Sequence, residues 1–325
     1  MLPAPPFRRR GLAALAGLGL LPRPARAWAP EGPVRLLVGT VPGGATDLAA
    51  RMLAEAARGR LAQPVVVENL SGAGGNIAAT AAARARPDGR TFLLGFGALV
   101  INHLRRDPPG AVDPLLDLLP VARVMTSPAV VLVRRDAGVA EMATLAARLR
   151  APGAAAAWAP PTPGTILHLV ARQMLDRLRI TEAEMIPYRG AAAMQADFIA
   201  GRLSFVCDNP TVHMAALQEG STRALAVLAG QRSALLPAVP AASEMGLAGI
   251  DGTSWWGLFA PPGTDPAAVE AMAGLSAAML ASPEASARLA ALGLEPAALG
   301  ARPFAAYLSD QQQRWAPAIS ALPPA

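Results

Sequence analysis

The chain has 325 residues, of which 53% are hydrophobic and 16% are charged, so it can bury a large core and is not a disordered polypeptide. Its formal net charge of +6 would suit a nucleic-acid partner, but five arginines and no acidic residue lie within the first 27 residues, and removing those five charges leaves +1. The rest of the chain therefore has no electrostatic basis for binding nucleic acid.

The N-terminal segment has the pattern of a cleavable export signal. Arg8–Arg10 is basic, Gly11–Leu21 is apolar, and residues 25–27 form an A-x-A cleavage site before Trp28. The apolar run is shorter than the roughly 20 residues that a membrane-spanning helix needs. We predict that residues 1–27 are a signal peptide and that the mature protein is periplasmic. The alternative for this segment is a short buried helix.

Apolar runs alternate with helical patterns along the rest of the chain, which predicts strands of a largely parallel sheet covered by helices. The predicted strands are 34–39, 64–68, 91–96, two within 121–133, 154–159, 185–188, 203–207, 223–228 and 255–260. The predicted helices are 47–60, 76–86, 141–150, 165–178, 191–200, 266–280, 283–292 and 303–318. Each of the last three helices has a proline near its first turn, where proline is tolerated.

Cysteine and histidine give no sign of a metal or redox centre. Cys207 is the only cysteine, so an intrachain disulfide and a cysteine-based zinc site are excluded, and its place at the end of the apolar run 203–207 predicts a buried strand thiol. His103, His168 and His213 do not have metal-ligand spacing. We expect no metal and no cofactor.

Two glycine-rich loops follow the first two predicted strands. Residues 42–47 are Pro-Gly-Gly-Ala-Thr-Asp, and residues 71–76 are Ser-Gly-Ala-Gly-Gly-Asn. Ligands of open parallel sheets bind beyond the carboxyl ends of the strands, and glycine lets backbone N–H groups approach an anion at a helix N-terminus. Neither loop has the lysine of a Walker A motif, and Ile77 replaces the third glycine of a dinucleotide-binding motif. An anion site and a plain helix-capping turn are equally open at this point.

Further motifs occur along the chain in a fixed order. They are 28–38 (WAPEGPVRLLV), 42–51 (PGGATDLAAR), 63–69 (QPVVVEN), 85–91 (ARPDGRT), 186–191 (IPYRGA), 223–227 (RALAV), 231–233 (QRS) and 256–264 (WGLFAPPGT). Together they resemble the Bug-type receptors, the periplasmic solute-binding proteins of tripartite tricarboxylate transporters, over essentially all of the mature chain.

The resemblance implies a two-lobed α/β fold of the type II periplasmic-binding-protein (Venus flytrap) class, with a mostly parallel sheet in each lobe. Lobe 1 would comprise residues 28–123 and 229–325, and lobe 2 residues 124–228. It also implies a non-enzymatic, monomeric receptor that closes on a small organic acid, with the membrane subunits of a tripartite tricarboxylate transporter as candidate partners. The implied ligand-binding positions are Gly43, Gly44, Ala45, Thr46, Asp47, Gly72, Ala73, Gly74, Gly75, Asn76, Gly164, Thr165, His168, Tyr188 and Asp208.

Some positions qualify this expectation. The stretches 95–102 and 160–163 are more apolar than the family pattern, which predicts a pocket for a more apolar acid than a tricarboxylate. Asp208 would repel an anion, so we expect it to order its loop. Two other functions remain open: an exported hydrolase, although no G-x-S-x-G elbow occurs, and a ligand sensor without a transporter.

Overall fold

A computed structural model of the protein describes residues 28–151, 156–188 and 190–322, so the predicted signal peptide lies outside the described residues. The strands in these ranges are β1 (Val34–Val38), β2 (Val65–Asn69), β3 (Thr91–Phe96), β4 (Leu119–Ser127), β5 (Val130–Arg134), β6 (Ala157–Ala159), β7 (Glu184–Met185), β8 (Phe205–Asp208), β9 (Thr222–Val227), β10 (Ser254–Ala260) and β11 (Glu295–Gly300). The α-helices are α1 (Ala45–Ala56), α2 (Asn76–Ala83), α3 (Ala98–Arg105), α4 (Met142–Leu149), α5 (Ile166–Arg177), α6 (Ala191–Ile199), α7 (Met214–Glu219), α8 (Pro266–Leu280), α9 (Pro283–Ala291) and α10 (Ala301–Ser320).

The first sheet is mixed, with the strand order β11-β4-β10-β3-β1-β2. Strand β1 pairs in parallel with β2 and with β3, as the alternation of strands and helices predicted. Strand β10 runs antiparallel to β3 and to β4, and β11 runs antiparallel to β4. The sheet is thus mixed rather than mostly parallel, because β4 carries the chain away from this sheet and β10 brings it back beside β4 in the opposite direction.

The second sheet has the order β7-β6-β8-β5-β9 and is also mixed. Strand β6 pairs in parallel with β7 and β8, whereas β5 is antiparallel to both β8 and β9. Cys207 lies buried in β8, which confirms the prediction of a buried strand thiol, and burial raises the pKa of this thiol far above its ordinary value.

Both sheets are covered on both faces, which explains their nearly continuous apolar strands. In β1, Leu36 belongs to the core that faces α1 and α8, and the next residue, Leu37, belongs to the core that faces α2 and α3. In β5, Val131 packs with α4 and α5, while Val130 packs with α6. The period-two alternation of side chains therefore serves two apolar layers in each sheet.

Two chain crossings connect the sheets, and α10 packs against both. The chain passes from β4 to β5 through Pro128 and Ala129, and it returns between β9 and β10. Helix α10 contributes Phe304 to the core of the first sheet and Trp315 to the core of the second. The predicted boundary between residues 123 and 124 falls inside β4, which stays in the first sheet through Ser127.

Candidate functional site

A cleft of about 490 Å³ lies between the two sheets. This volume is within the range of pockets that bind small molecules. The first sheet contributes the loop before α2 and one face of α3, and the second sheet contributes the loop before α5 and the first turn of this helix. Strand β10 and Asn209 form the floor where the chain crosses between the sheets.

The wall of this cleft is mainly apolar. Its apolar lining residues include Phe96, Ile101, Ile166, Leu167 and Trp256. Polar side chains enter at separate points: Asn102, Arg105, Asp107, Thr162, Thr165, Asn209 and Ser254. A cavity of this kind orients a ligand by a few hydrogen bonds and holds its carbon skeleton by apolar contact.

The second glycine-rich loop reaches the cleft through Ala73 and Gly74. Asn102 Nδ2 in α3 donates to the carbonyl oxygens of Ala73, at 3.1 Å, and Gly74, at 3.3 Å. Gly74 has a φ of +58°, and a Cβ at this position would lie 2.9 Å from Asn102 Nδ2. Glycine is therefore required here, because the loop is both left-handed and packed against α3.

Other residues of that loop have structural contacts outside the cleft lining. Asn76 Oδ1 accepts a hydrogen bond from the Val112 N–H at 2.9 Å, and its amide nitrogen lies 3.4 Å from Thr80 Oγ1. Gly75 packs closely against Gly39 and the Phe96 ring. Gly72, also predicted as a ligand position, is not part of the lining either.

The first glycine-rich loop, including Gly44 and Ala45, stands behind the cleft wall. Asp47 is only 1% exposed, and its carboxylate accepts hydrogen bonds from the Gly43 N–H (2.9 Å), Asn69 Nδ2 (3.0 Å) and Arg51 Nε (2.9 Å). Burial acts to raise the Asp47 pKa, but these three hydrogen bonds together lower it below its ordinary value. The carboxylate therefore holds the loop in its shape.

One hydrogen bond connects this loop to the cleft. Thr46 Oγ1 accepts from Trp256 Nε1 at 2.9 Å, and the Trp256 ring lines the cleft on its other side. The loop thus fixes the orientation of an aromatic wall residue.

The loop before α5 brings Gly164 and Thr165 to the opposite side of the cleft. Thr165 Oγ1 donates to the Thr162 carbonyl at 2.8 Å, and the Gly164 N–H donates to His168 Nδ1 at 3.0 Å. Burial lowers the His168 pKa, and the charges of Arg172 and Arg105 lower it further. The first-turn N–H groups of α5 have no partner within the helix, so the cleft receives the positive end of a helix dipole.

Among the positions predicted around the second sheet, His168, Tyr188 and Asp208 also lie outside the cleft lining. The Tyr188 hydroxyl donates to Asp197 Oδ2 at 2.6 Å, and burial together with this hydrogen bond raises the pKa of Tyr188 to about 12. Asp208 is buried, lies 3.1 Å from His213 Nε2, and accepts from the Asn209 N–H at 2.7 Å. Burial raises the Asp208 pKa, and its contacts order the loop.

Asn209 and Arg105 line the cleft, although the sequence patterns did not select them. Asn209 Nδ2 donates to the carbonyl oxygens of Ser127 (3.3 Å) and Pro128 (2.9 Å), and its Oδ1 accepts from Ser254 Oγ at 3.0 Å. It therefore joins the outgoing crossing to the start of β10. The adjacent Asp208 motif was the available signal for Asn209, whereas Arg105 lies in no motif.

No helix in the described parts of the chain combines the length and apolarity needed to cross a bilayer. The same residues contain no cluster of three or more histidine, cysteine, aspartate or glutamate side chains that could hold a metal ion.

The chain is similar to known proteins of one family. The family model described as "Tripartite tricarboxylate transporter family receptor" matches residues 49–323. Protein BugT of Bordetella pertussis is 32% identical over 289 residues, covering 88% of this chain and 88% of BugT.

Solved structures with the same fold include two with bound acids. Rpa4515 of R. palustris, solved with adipate, is 28% identical, with a TM-score of 0.78 over 90% of this chain and 97% of its own. MatC (Rpa3494) from Rhodopseudomonas palustris, solved with bound malate, is 29% identical, with a TM-score of 0.72 over 89% of this chain and 99% of its own.

Proposed function

The chain belongs to the tripartite tricarboxylate transporter receptor family, and we propose that it is a periplasmic receptor that binds a small organic acid and releases it unchanged. The observation that carries this proposal is the cleft between the two sheets, which joins an apolar wall to the N-terminal turn of α5. Family members are solute-binding receptors, and the sequence resemblance that predicted this membership is confirmed.

A carboxylate is the ligand class that we propose. Adipate and malate, the acids bound by the two relatives, are both dicarboxylates. In this chain, the free N–H groups at the start of α5 favour an anion, and the Asn102 side chain and the Thr165 and Ser254 hydroxyls border the same space. The apolar remainder of the wall suits a carbon chain and offers few partners for the hydroxyl groups of a hydrophilic acid.

We further propose that the two sheets are the cores of two lobes that close around the ligand. The division into residues 28–123 with 229–325 and residues 124–228 approximates this arrangement, with the crossing near Ser127. Closure would bring α5 toward the loop of Ala73 and Gly74, so both lobes would contact one ligand.

The contacts of the cleft hydroxyls support binding without catalysis. A nucleophilic hydroxyl needs a base within hydrogen-bonding distance. Thr165 Oγ1 donates to a backbone carbonyl, and Ser254 Oγ donates to the Asn209 amide, and neither acceptor is a general base. Cys207 is buried in β8. Delivery to membrane subunits of a transporter, by a monomeric receptor, is part of the proposal; a sensor without a transporter is its alternative.

The test uses the tryptophans of the cleft as reporters. Purified mature protein is titrated with adipate and with malate, and fluorescence is recorded for the wild type, Trp256→Phe and Trp28→Phe. We expect saturable binding of at least one acid, a smaller signal in Trp256→Phe, and an undiminished signal in Trp28→Phe, because Trp28 packs on Phe92 away from the cleft. NMR of the acid after overnight incubation should show it unchanged. Absence of binding to any small organic acid, or conversion of the acid, would overturn the proposal.

A further inference from the structure

Arg105, the last residue of α3, is the one basic side chain among the described residues that line the cleft. Many arginines of this chain are paired with carboxylates at the surface. No ion pair and no side-chain hydrogen bond of Arg105 occurs within the described ranges. Asp107 also lines the cleft, is exposed, and is not paired with Arg105. A half-buried guanidinium therefore faces the cavity with its donors available.

The guanidinium of Arg105 extends from one side of the cleft to the other. A Cβ on Gly164 would lie 3.2 Å from Arg105 Nη1, so the side chain extends from the end of α3 to the loop that precedes α5. Gly164 has a φ of +77°, and its lack of a side chain leaves room for the guanidinium. The positive charge of Arg105 and the N-terminal turn of α5 thus converge on one region. That charge reaches His168 as well, since it contributes to lowering the pKa of the imidazole.

A second, independent observation concerns the indole N–H of Trp255 in the cleft wall. Trp255 is 0% exposed and lines the cleft, and its Nε1 is a buried donor that finds no hydrogen-bond acceptor in the part of the chain that the structure describes. The atom lies beside Gly97, at 3.4 Å from the position a Cβ would occupy there, and Gly97 is itself part of the lining. Buried donors are rarely left unsatisfied, so an acceptor supplied by a ligand would complete this site.

We propose that Arg105 is the specificity-determining residue of the receptor: its guanidinium binds a terminal carboxylate of the ligand against the first turn of α5. This proposal rests on the proposed function and names the ligand class more narrowly. The ligand is an acid that carries a carboxylate at the end of an apolar carbon chain. The planar fork of arginine can hold both carboxylate oxygens, and Phe96, Ile101 and Ile166 accommodate the chain. A hydroxylated tricarboxylate would place polar groups against that apolar wall, where these groups would lose their hydration.

The test measures the affinities of adipate, its monoamide and citrate by calorimetry for the wild type, Arg105→Gln, Arg105→Lys and Arg106→Gln. Arg106 is the adjacent, exposed arginine, so its variant has the same change in net charge outside the cleft. Arg105→Gln should weaken adipate binding by about 10- to 100-fold, the range expected for a charged hydrogen bond in a partly desolvated site. Arg105→Lys should show an intermediate loss because an ammonium cannot bind bidentately, and Arg106→Gln should stay within about twofold of the wild type.

The monoamide identifies the interaction itself. If Arg105 binds a terminal carboxylate, replacing one carboxylate by an amide should weaken binding to the wild type and should have a much smaller effect on Arg105→Gln. The wild type should also prefer adipate to citrate. Equal affinities of Arg105→Gln and the wild type for adipate would overturn the role of Arg105, and tighter citrate binding would overturn the ligand class. In both cases the receptor function would stand, whereas failure of the wild type to bind any acid would remove the proposed function itself.

Discussion

The backbone N–H of Gly164 donates to Nδ1 of His168 at 3.0 Å, so an imidazole behind the cleft holds the loop that faces it. Nδ1 can accept this hydrogen bond only when it carries no proton. The pKa of His168 lies below its ordinary value of 6.5, first because the ring is partly buried and then because Arg172 and Arg105 repel a second positive charge. The histidine is therefore neutral at pH 7 and serves as an acceptor.

The first prediction concerns stability at mildly acidic pH. The unfolded chain has the higher histidine pKa, so it binds more protons than the folded protein as pH falls below about 6.5. The stability linked to this difference in His168 pKa is fully present above pH 6.5. It is lost as the pH falls through the depressed pKa of the folded state. His168→Gln removes the titration, and its glutamine can still offer an oxygen to the Gly164 N–H. Urea unfolding between pH 7.5 and 5 should show a weaker pH dependence for this variant.

Asp208 and the other titrating groups are common to both proteins, so the difference between the two pH profiles isolates His168. The two proteins should differ least in pH dependence above pH 7. Parallel profiles over the whole range would show that His168 titrates alike in the folded and unfolded states.

The second prediction concerns the first glycine-rich loop. Asp47→Ala leaves the Gly43 N–H and Asn69 Nδ2 without their acceptor in a nearly closed environment, so it should lower the free energy of unfolding by about 1–3 kcal/mol. Arg51→Ala removes the exposed partner of the same carboxylate and should cost less than Asp47→Ala, because exposed ion pairs contribute little to stability. Chemical denaturation of both variants gives the comparison. A larger loss in Arg51→Ala would mean that Asp47 stabilises the protein mainly through its ion pair and not through its hydrogen bonds to the loop.

Local sequence signals were sufficient for much of the fold. The strand 91–96 has the predicted bounds, and β1 and β2 differ from prediction by one residue at their ends. Their apolar runs end in glycine or proline turns, which interrupt both helices and strands. The two-lobed fold class inferred from the family motifs is confirmed by the structural similarity to Rpa4515 and MatC.

Elements that depend on distant partners were not predicted. Helix α3 is only eight residues long and starts directly after Gly97, without a side-chain cap that would mark its first turn. Strand β11 contains Pro296 and alternates in exposure along an edge of the first sheet, where its pairing with β4 stabilises it. The apolar stretch 95–102 does not by itself predict a helix that begins at Ala98 and ends at Arg105, because that helix depends on tertiary packing.

The candidate site likewise contains residues that the sequence predicted and residues that only the tertiary structure brings there. Ala73, Gly74, Gly164 and Thr165 line the cleft, and the resemblance to the family had marked all four positions in the sequence. Arg105 was not visible as a site residue, because an arginine in the last turn of a helix is ordinary. Its significance comes from its distance to Gly164, which is 59 positions away in the chain. Which of the remaining predicted positions contact a ligand stays a prediction.

The third prediction separates two residues that the sequence treated alike. Thr165 borders the cleft at the start of α5, whereas the Tyr188 hydroxyl is bonded to Asp197 outside the lining. Thr165→Val keeps the volume but removes the hydroxyl, and it should weaken adipate binding by about 3- to 10-fold through loss of one neutral hydrogen-bonding group. Tyr188→Phe should leave adipate affinity unchanged. Calorimetry on both variants tests this, and a weaker affinity in Tyr188→Phe would show that the residue enters the site on closure.

The last prediction concerns closure itself, and it uses a contact between the two lobes. Gly97 follows β3 on one side of the cleft and Ile166 opens α5 on the other, and a Cβ on Gly97 would lie 2.8 Å from Ile166 Cδ1. Gly97 has φ −51° and ψ −26°, which alanine adopts without strain. Gly97→Ala therefore adds a wedge between the lobes without distorting the backbone. It should weaken adipate binding and reduce the compaction that ligand produces, because a ligand stabilises a closed state only by contacts that the open state lacks.

Ile166→Val is the matched partner of this variant, because it deletes the Cδ1 atom that the added Cβ would contact. This substitution alone should lower stability by about 0.5–1.5 kcal/mol. In Gly97→Ala/Ile166→Val, the affinity for adipate should return toward that of Ile166→Val alone, and X-ray scattering should again show a smaller radius of gyration with ligand than without. Non-additivity of this size is expected only for residues in contact. If Gly97→Ala binds and compacts like the wild type, the lobes do not approach through this contact when ligand binds. If the wild type binds adipate tightly and never compacts, the ligand is held within one lobe and closure is not part of its capture.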